Sequence, residues 1–265
     1  MTHVDDSLRD RRALVGGASR GIGLAAARAL AARGAEVVLL ARNESTLKQA
    51  LARLPAPDGR RHRVLAADLE RLDELEAAAR ALLADVGPVH ILVNNGGGPP
   101  AGLLNEASWE GFPSAFRAHV GAAHVLTRAL LPGMRDAGYG RIVNIISTSA
   151  KQPIPGLGVS NTIRGAMANW AKTLAGEVAA GGITVNNVLP GATRTERLVS
   201  ILGAWAEQRG ITREAMEQKM LESIPARRFA EPEEIGEAVA FLASPAAAYI
   251  NGINLPVDGG RTASL

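Results

Sequence analysis

A doubly wound α/β fold on one seven-stranded parallel sheet is predicted by three observations. Apolar runs of strand length alternate with longer segments of helical period, the pattern of a parallel sheet covered on both faces. The 265 residues, 47% of them apolar, suffice for one large core. No repeat, low-complexity tract or linker divides the chain, so a single domain spanning residues 1–265 is expected.

The elements follow in order. Residues 13–15 read as the first strand and 22–33 as the helix that returns from it. A second strand at 36–40 leads through a turn-rich connector, 56–61, to a third at 63–66 and a helix at 69–83. The fourth strand, 89–93, runs into a Gly/Pro loop at 96–103 and a helical region around 109–131. A fifth strand at 141–146, a helix at 159–179, a sixth strand at 183–189, a helix at 232–242 and a seventh strand at 254–257 complete the sheet. Residues 194–229 are an insertion after strand six. Ligands of such sheets sit beyond the carboxyl ends of the strands, which places this insertion and the 96–103 loop beside one.

Composition narrows the function classes. The formal charge of +3 comes from 29 basic and 26 acidic residues, scattered without a long basic run, which argues against nucleic acid as a partner. The absence of cysteine excludes disulfides, thiolate nucleophiles and Cys-based zinc sites and suits a reducing cytoplasm. The first twelve residues are polar and no apolar run reaches membrane-spanning length, so neither a signal peptide nor a membrane association is expected.

Gly17, Gly21 and Gly23 stand between the first strand and its helix, with Ser19, Arg20 and Ile22 among them. Glycines in that setting let the backbone approach a pyrophosphate, and the helix N-terminus supplies amide donors and a favourable dipole. The second strand ends Leu40-Ala41-Arg42, without an acid to bind a ribose 2′-hydroxyl. Arg42 and Arg20 can instead clamp a 2′-phosphate, which favours NADP(H); the competing reading is two ordinary surface arginines.

With Asp68-Leu69, Asn94-Asn95-Gly96-Gly97, Pro190-Gly191 followed by Thr195, and Val257-Asp258-Gly259-Gly260, these motifs resemble the short-chain dehydrogenase/reductase family, especially its 3-oxoacyl carrier-protein reductase branch. The resemblance covers nearly the whole chain and implies a Rossmann fold. It implies an adenine contact at Asp68 and Leu69, cofactor support at Asn95, and a nicotinamide carboxamide contact along Pro190, Gly191 and Thr195. A small-molecule substrate and a homodimer or homotetramer are also implied.

The chain departs from the family at the catalytic centre. Relatives pair a proton-transferring tyrosine with a lysine in Tyr-x-x-x-Lys, where this chain reads Ser160-Asn161-Thr162-Ile163-Arg164. Ser147 keeps the serine position. An aliphatic hydroxyl at Ser160 is a poorer proton donor than a phenol, and Ser160 reads more readily as a pocket wall than as a catalyst. Arg164 can hold ribose hydroxyls without ever deprotonating. Counting back from Pro132, taken as the end of its helix, puts His119 at the family's asparagine position, where an imidazole titrating near neutrality can move protons. Lys151 is one of four lysines and a second candidate acid on the loop after Ser147. A structural histidine and a solvated lysine are the plain alternatives.

Leu198, Ile201, Leu202, Trp205, Met216, Met220, Leu221 and Ile224 recur at helical spacing in residues 194–229, expected to cover the substrate, although such stripes often serve internal packing. Gly165, Ala166, Ala168, Ala171 and Ala175 permit close helix approach, either at a dimer contact or in the core. These residues point to an NADP(H)-dependent oxidoreductase of carbonyl or hydroxyl compounds with atypical proton transfer, 3-oxoacyl-like by analogy. A cofactor-binding sensor without turnover and a lyase or dehydratase in the same pocket are the alternatives.

Overall fold

The computed structural model describes residues 6–56 and 59–264. The first five residues of the polar N-terminal stretch, and residues 57–58 of the expected connector, lie outside the described residues. Seven strands run β1 Arg12–Gly16, β2 Glu36–Ala41, β3 Arg63–Ala66, β4 Ile91–Asn94, β5 Gly140–Ile145, β6 Ile183–Pro190 and β7 Asn254–Val257. The α-helices are α1 Gly21–Ala32, α2 Glu44–Leu51, α3 Leu72–Val86, α4 Gly111–Phe116, α5 Ala122–Asp136, α6 Gly158–Val178, α7 Glu196–Arg209, α8 Arg213–Glu222 and α9 Pro232–Ala243. The strands form one parallel sheet in the order β3-β2-β1-β4-β5-β6-β7, so the strand order reverses between β1 and β4. The crevice for a ligand opens at that reversal.

Two apolar layers flank the sheet. Leu24, Ala27 and Leu30 of α1, Leu47 of α2 and Ile235, Val239 and Leu242 of α9 pack on one face. Leu75 and Leu82 of α3, Leu126 and Leu130 of α5 and Ala171 and Ala175 of α6 cover the other. Helices α1 and α9 touch closely enough that a Cβ at Gly236 would lie 2.7 Å from the Ala25 carbonyl oxygen.

A polar ladder crosses the carboxyl half of the sheet. Asn94, Asn144, Asn187 and Asn254 are register partners on β4 to β7. Each amide donates to the next carbonyl oxygen, at 2.8, 2.9 and 2.8 Å. Fully buried Asn144 both donates and accepts, so its polar atoms are satisfied inside the core.

Several expectations are corrected. Helix α3 begins at Leu72 and not Leu69, because the Asp68 carboxylate accepts from Glu70 N (3.0 Å) and holds that segment in a turn. Pro132 does not end its helix: α5 continues through it to Asp136. Between α4 and α5 the chain widens into a π turn, Arg117–Gly121, which carries His119. Helix α2 was not anticipated from the pattern; Asn43 caps it by accepting from Thr46 N at 3.0 Å.

The 194–229 insertion is a helical hairpin, α7 and α8, whose neck closes where Thr193 bridges Ala230. Leu198, Leu202, Met216, Met220 and Ile224 are buried in a small core of its own with Ala206 and Phe229, so most of the apolar stripe is spent on internal packing. Likewise Ala171 and Ala175 of α6 belong to the main core, while a Cβ at Gly165 would meet open space.

Candidate active site

The glycine turn is shaped for close approach. Gly17 and Gly21 have φ of 56° and 54°, the left-handed region that disfavours side chains. A Cβ at Gly23 would fall 2.3 Å from the Gly17 carbonyl oxygen, so α1 can leave the turn at that angle only with glycine there. From the loop after β4, Asn95 Nδ2 donates to the Gly16 carbonyl at 3.1 Å and braces the turn. The α1 N-terminus has no side-chain cap and no acid in its first turn, leaving amide donors and the positive dipole end for an anion. Gly16, Gly17, Ser19, Gly21, Ile22 and Gly23 therefore fit a dinucleotide pyrophosphate, as a cradle whose backbone a Cβ would obstruct.

The two arginines expected to meet a 2′-phosphate differ in their surroundings. Arg42 is exposed at the end of β2 and makes no ion pair among the described residues. Arg20 ion-pairs with Glu196 at the start of α7. Asp68 and Leu69 are half-buried on the same bank of the crevice, and Leu69 reaches Gly96, where a Cβ would meet its Cδ1 at 3.1 Å.

On the opposite bank, Pro190 ends β6, and Gly191 N donates to the Val257 carbonyl at 3.0 Å. A Cβ at Gly191 would strike Asp258 Cα at 2.7 Å, which explains the glycine after the proline. Thr195 caps α7, its hydroxyl accepting from Leu198 N at 3.4 Å and donating to the Thr193 carbonyl at 3.2 Å. Its methyl lies 3.4 Å from where Gly21 would carry a Cβ, so the first turn of α7 overhangs the glycine loop. Arg197, which sequence reasoning missed, donates from Nη2 to the Pro99 carbonyl. Its partner lies on another loop far back in the chain, and no local pattern announces such a contact.

At the catalytic positions, β5 delivers Ser147 to the base of the crevice. Its Oγ accepts from Ser149 N at 3.1 Å, which leaves its own O–H proton for a substrate oxygen. Ser160 lies buried two turns before the middle of α6, and its hydroxyl makes no hydrogen bond among the described residues. Arg164, one turn further, is 7% exposed and points inward: Nη1 donates to the Ile145 carbonyl at 3.2 Å and approaches His119 Nδ1 at 3.4 Å. Burial, with the charge of Arg197, lowers its pKa to about 10, so it stays cationic at neutral pH. Lys151 is half-buried after the turn that follows Ser147 and has no ion-pair partner among the described residues.

His119 requires the main correction. Burial, reinforced by the Arg164 charge, holds its pKa at about 3 and not near neutrality, so the ring is uncharged at physiological pH. Since Arg164 can only donate, Nδ1 must accept and the proton sits on Nε2. That nitrogen and Arg164 Nε are buried without hydrogen-bond partners. His119 is thus a fixed polar wall, lining both a small chamber shared with Arg164, Asn95 and Asn144 and a cavity of ≈ 520 Å³ bounded by Gly97, Pro99, Leu103, Ala107 and Val159.

A profile described as enoyl-(acyl carrier protein) reductase matches residues 17–262. Gluconate 5-dehydrogenase of Gluconobacter oxydans (strain 621H) is 35% identical over 266 residues, covering 100% of both chains. A 3-oxoacyl-(acyl-carrier-protein) reductase of Vibrio cholerae is 36% identical over 96% of this chain and 98% of its own. L-Sorbose reductase of Gluconobacter frateurii, solved with NADPH and L-sorbose, superposes with a TM-score of 0.91 at 33% identity, over 98% of this chain and 100% of that one. The chain belongs to the short-chain dehydrogenase/reductase family.

Proposed function

We propose that this chain is an NADP(H)-dependent oxidoreductase that reduces a carbonyl, or oxidises the corresponding hydroxyl, of a small molecule. The observation that carries the reading is the crevice at the sheet reversal, where the braced glycine turn, the uncapped helix end and acid-free Arg42 suit a 2′-phosphorylated dinucleotide. Its solved relative with NADPH and L-sorbose, and the 3-oxoacyl and gluconate relatives, support both the cofactor and the carbonyl/hydroxyl class.

When bound, the cofactor supplies or accepts the hydride. Ser147 O–H polarises the substrate oxygen as it gains negative charge, and Arg164 adds a fixed positive field from behind. With no phenol at position 160, the proton comes from water or from Lys151. Asp68, Leu69, Asn95, Pro190, Gly191 and Thr195 hold the remaining cofactor edges. The α7–α8 hairpin covers the substrate, and two or four copies assemble in the cytoplasm, which sedimentation of the purified chain checks for copy number.

The test is NADPH oxidation across ketoses, sugar acids and 3-oxoacyl thioesters, paired with NADPH and NADH binding titrations. Turnover of one class with tighter NADPH binding is expected. Equal affinity for both cofactors would reject the NADP(H) assignment. NADPH binding with no turnover would favour the second reading, a cofactor-binding protein that has lost catalysis, for which the inward-turned Arg164 is the supporting observation.

A further inference from the structure

We propose that Glu196 determines how strongly the crevice selects for a 2′-phosphate, by holding Arg20 in competition with it. This rests on the NADP(H) reading. The first turn of α7 lies across the crevice and is pinned on both banks: Glu196 to Arg20 of the glycine loop, Arg197 to the Pro99 carbonyl of the loop after β4. Thr195 fills the space between, its methyl packed over Gly21. The two pins differ in kind. Arg197 is half-buried and bonded to backbone, whereas the Arg20 and Glu196 side chains are 74% and 73% exposed.

An ion pair that open to water contributes little, so a phosphate dianion can take Arg20 from a single carboxylate. The exchange is not free. It leaves Glu196 without its partner, and that cost falls on every 2′-phosphorylated ligand. A nucleotide without the 2′-phosphate leaves the Arg20–Glu196 pair in place. Glu196 therefore moderates the preference that Arg20 and Arg42 create, and only a 2′-phosphorylated nucleotide releases that bank of the α7 turn.

The test compares adenosine 2′,5′-bisphosphate with adenosine 5′-monophosphate by calorimetric titration of the full chain, since neither probe depends on turnover. In E196Q, bisphosphate affinity is expected to rise about two- to fivefold, in keeping with an exposed ion pair, while monophosphate affinity stays unchanged. In an R20A background the gain on adding E196Q is expected to shrink to near nothing. An unchanged bisphosphate affinity in E196Q, equal gains for both probes, or an undiminished gain in R20A would each overturn the proposal. A wild type that binds both probes equally would reject the NADP(H) reading; if E196Q then prefers the bisphosphate the competition stands, and if it does not, both fall.

Discussion

At the scale of single residues, the centre is governed by how one buried histidine and one buried arginine share a small volume. His119 is held at about 3 from an ordinary 6.5, so between those values the unfolded chain binds a proton that the folded chain refuses. Stability is thus complete above about pH 6.5 and falls as the pH drops through the window toward 3, with a slope of up to ~1.4 kcal/mol per pH unit. His119→Asn is expected to flatten that slope in urea unfolding between pH 7 and 5. It is also expected to leave the pH–rate profile between pH 6 and 9 without a lost limb, since no proton titrates there on His119; a vanished limb would show that the ring ionises in the working enzyme. Sequence alone suggests a His119 that titrates near neutrality, and burial in the fold overturns that. Burial and the guanidinium facing it come from elements distant in sequence, and the Ser160 and Arg164 substitutions were legible while the inward direction of Arg164 was not.

At the scale of elements, the seven strands and the core-facing helices were readable because apolar runs and helical periods are local properties. The helix ends were less so: Asp68 delays α3 through a side-chain turn, and α5 absorbs Pro132. The asparagine ladder escaped notice because its four members lie on four strands and only the parallel register aligns them. Removing one of its two inner members tests its weight. Asn144→Ala leaves the Asn94 amide and the Asn187 carbonyl oxygen without their partners, and a loss of about 2–4 kcal/mol in chemical denaturation is expected. A loss below about 0.5 kcal/mol would mean that the strands, and not the amides, hold this part of the sheet.

At the scale of the whole molecule, the proposed reading makes cofactor choice depend on charge assembled from three places: the glycine loop, the end of β2 and the start of α7. Arg42→Asp is expected to weaken NADPH binding by about tenfold or more while sparing or improving NADH, because a carboxylate there repels the 2′-phosphate and can accept from a ribose hydroxyl. An unchanged ratio of the two dissociation constants would remove Arg42 from the site. That arginine was visible from the motif context, whereas the α7 contacts at Glu196 and Arg197 emerge only from the folded chain.

The packing of α7 also supplies an optical signal. Trp205 on that helix is half-buried with its indole Nε1 only 3.0 Å from where Gly156 would carry a Cβ, on the loop leading into α6. Rotation of α7 away from that loop changes the water and peptide dipoles around this ring. Trp109 is 73% exposed and already samples solvent, so it forms a steady background. With Trp109 and Trp170 replaced by phenylalanine, the emission colour of the remaining indole becomes a direct readout of the contact between α7 and the Gly156 loop, readable in stopped flow without a label and without knowing the substrate.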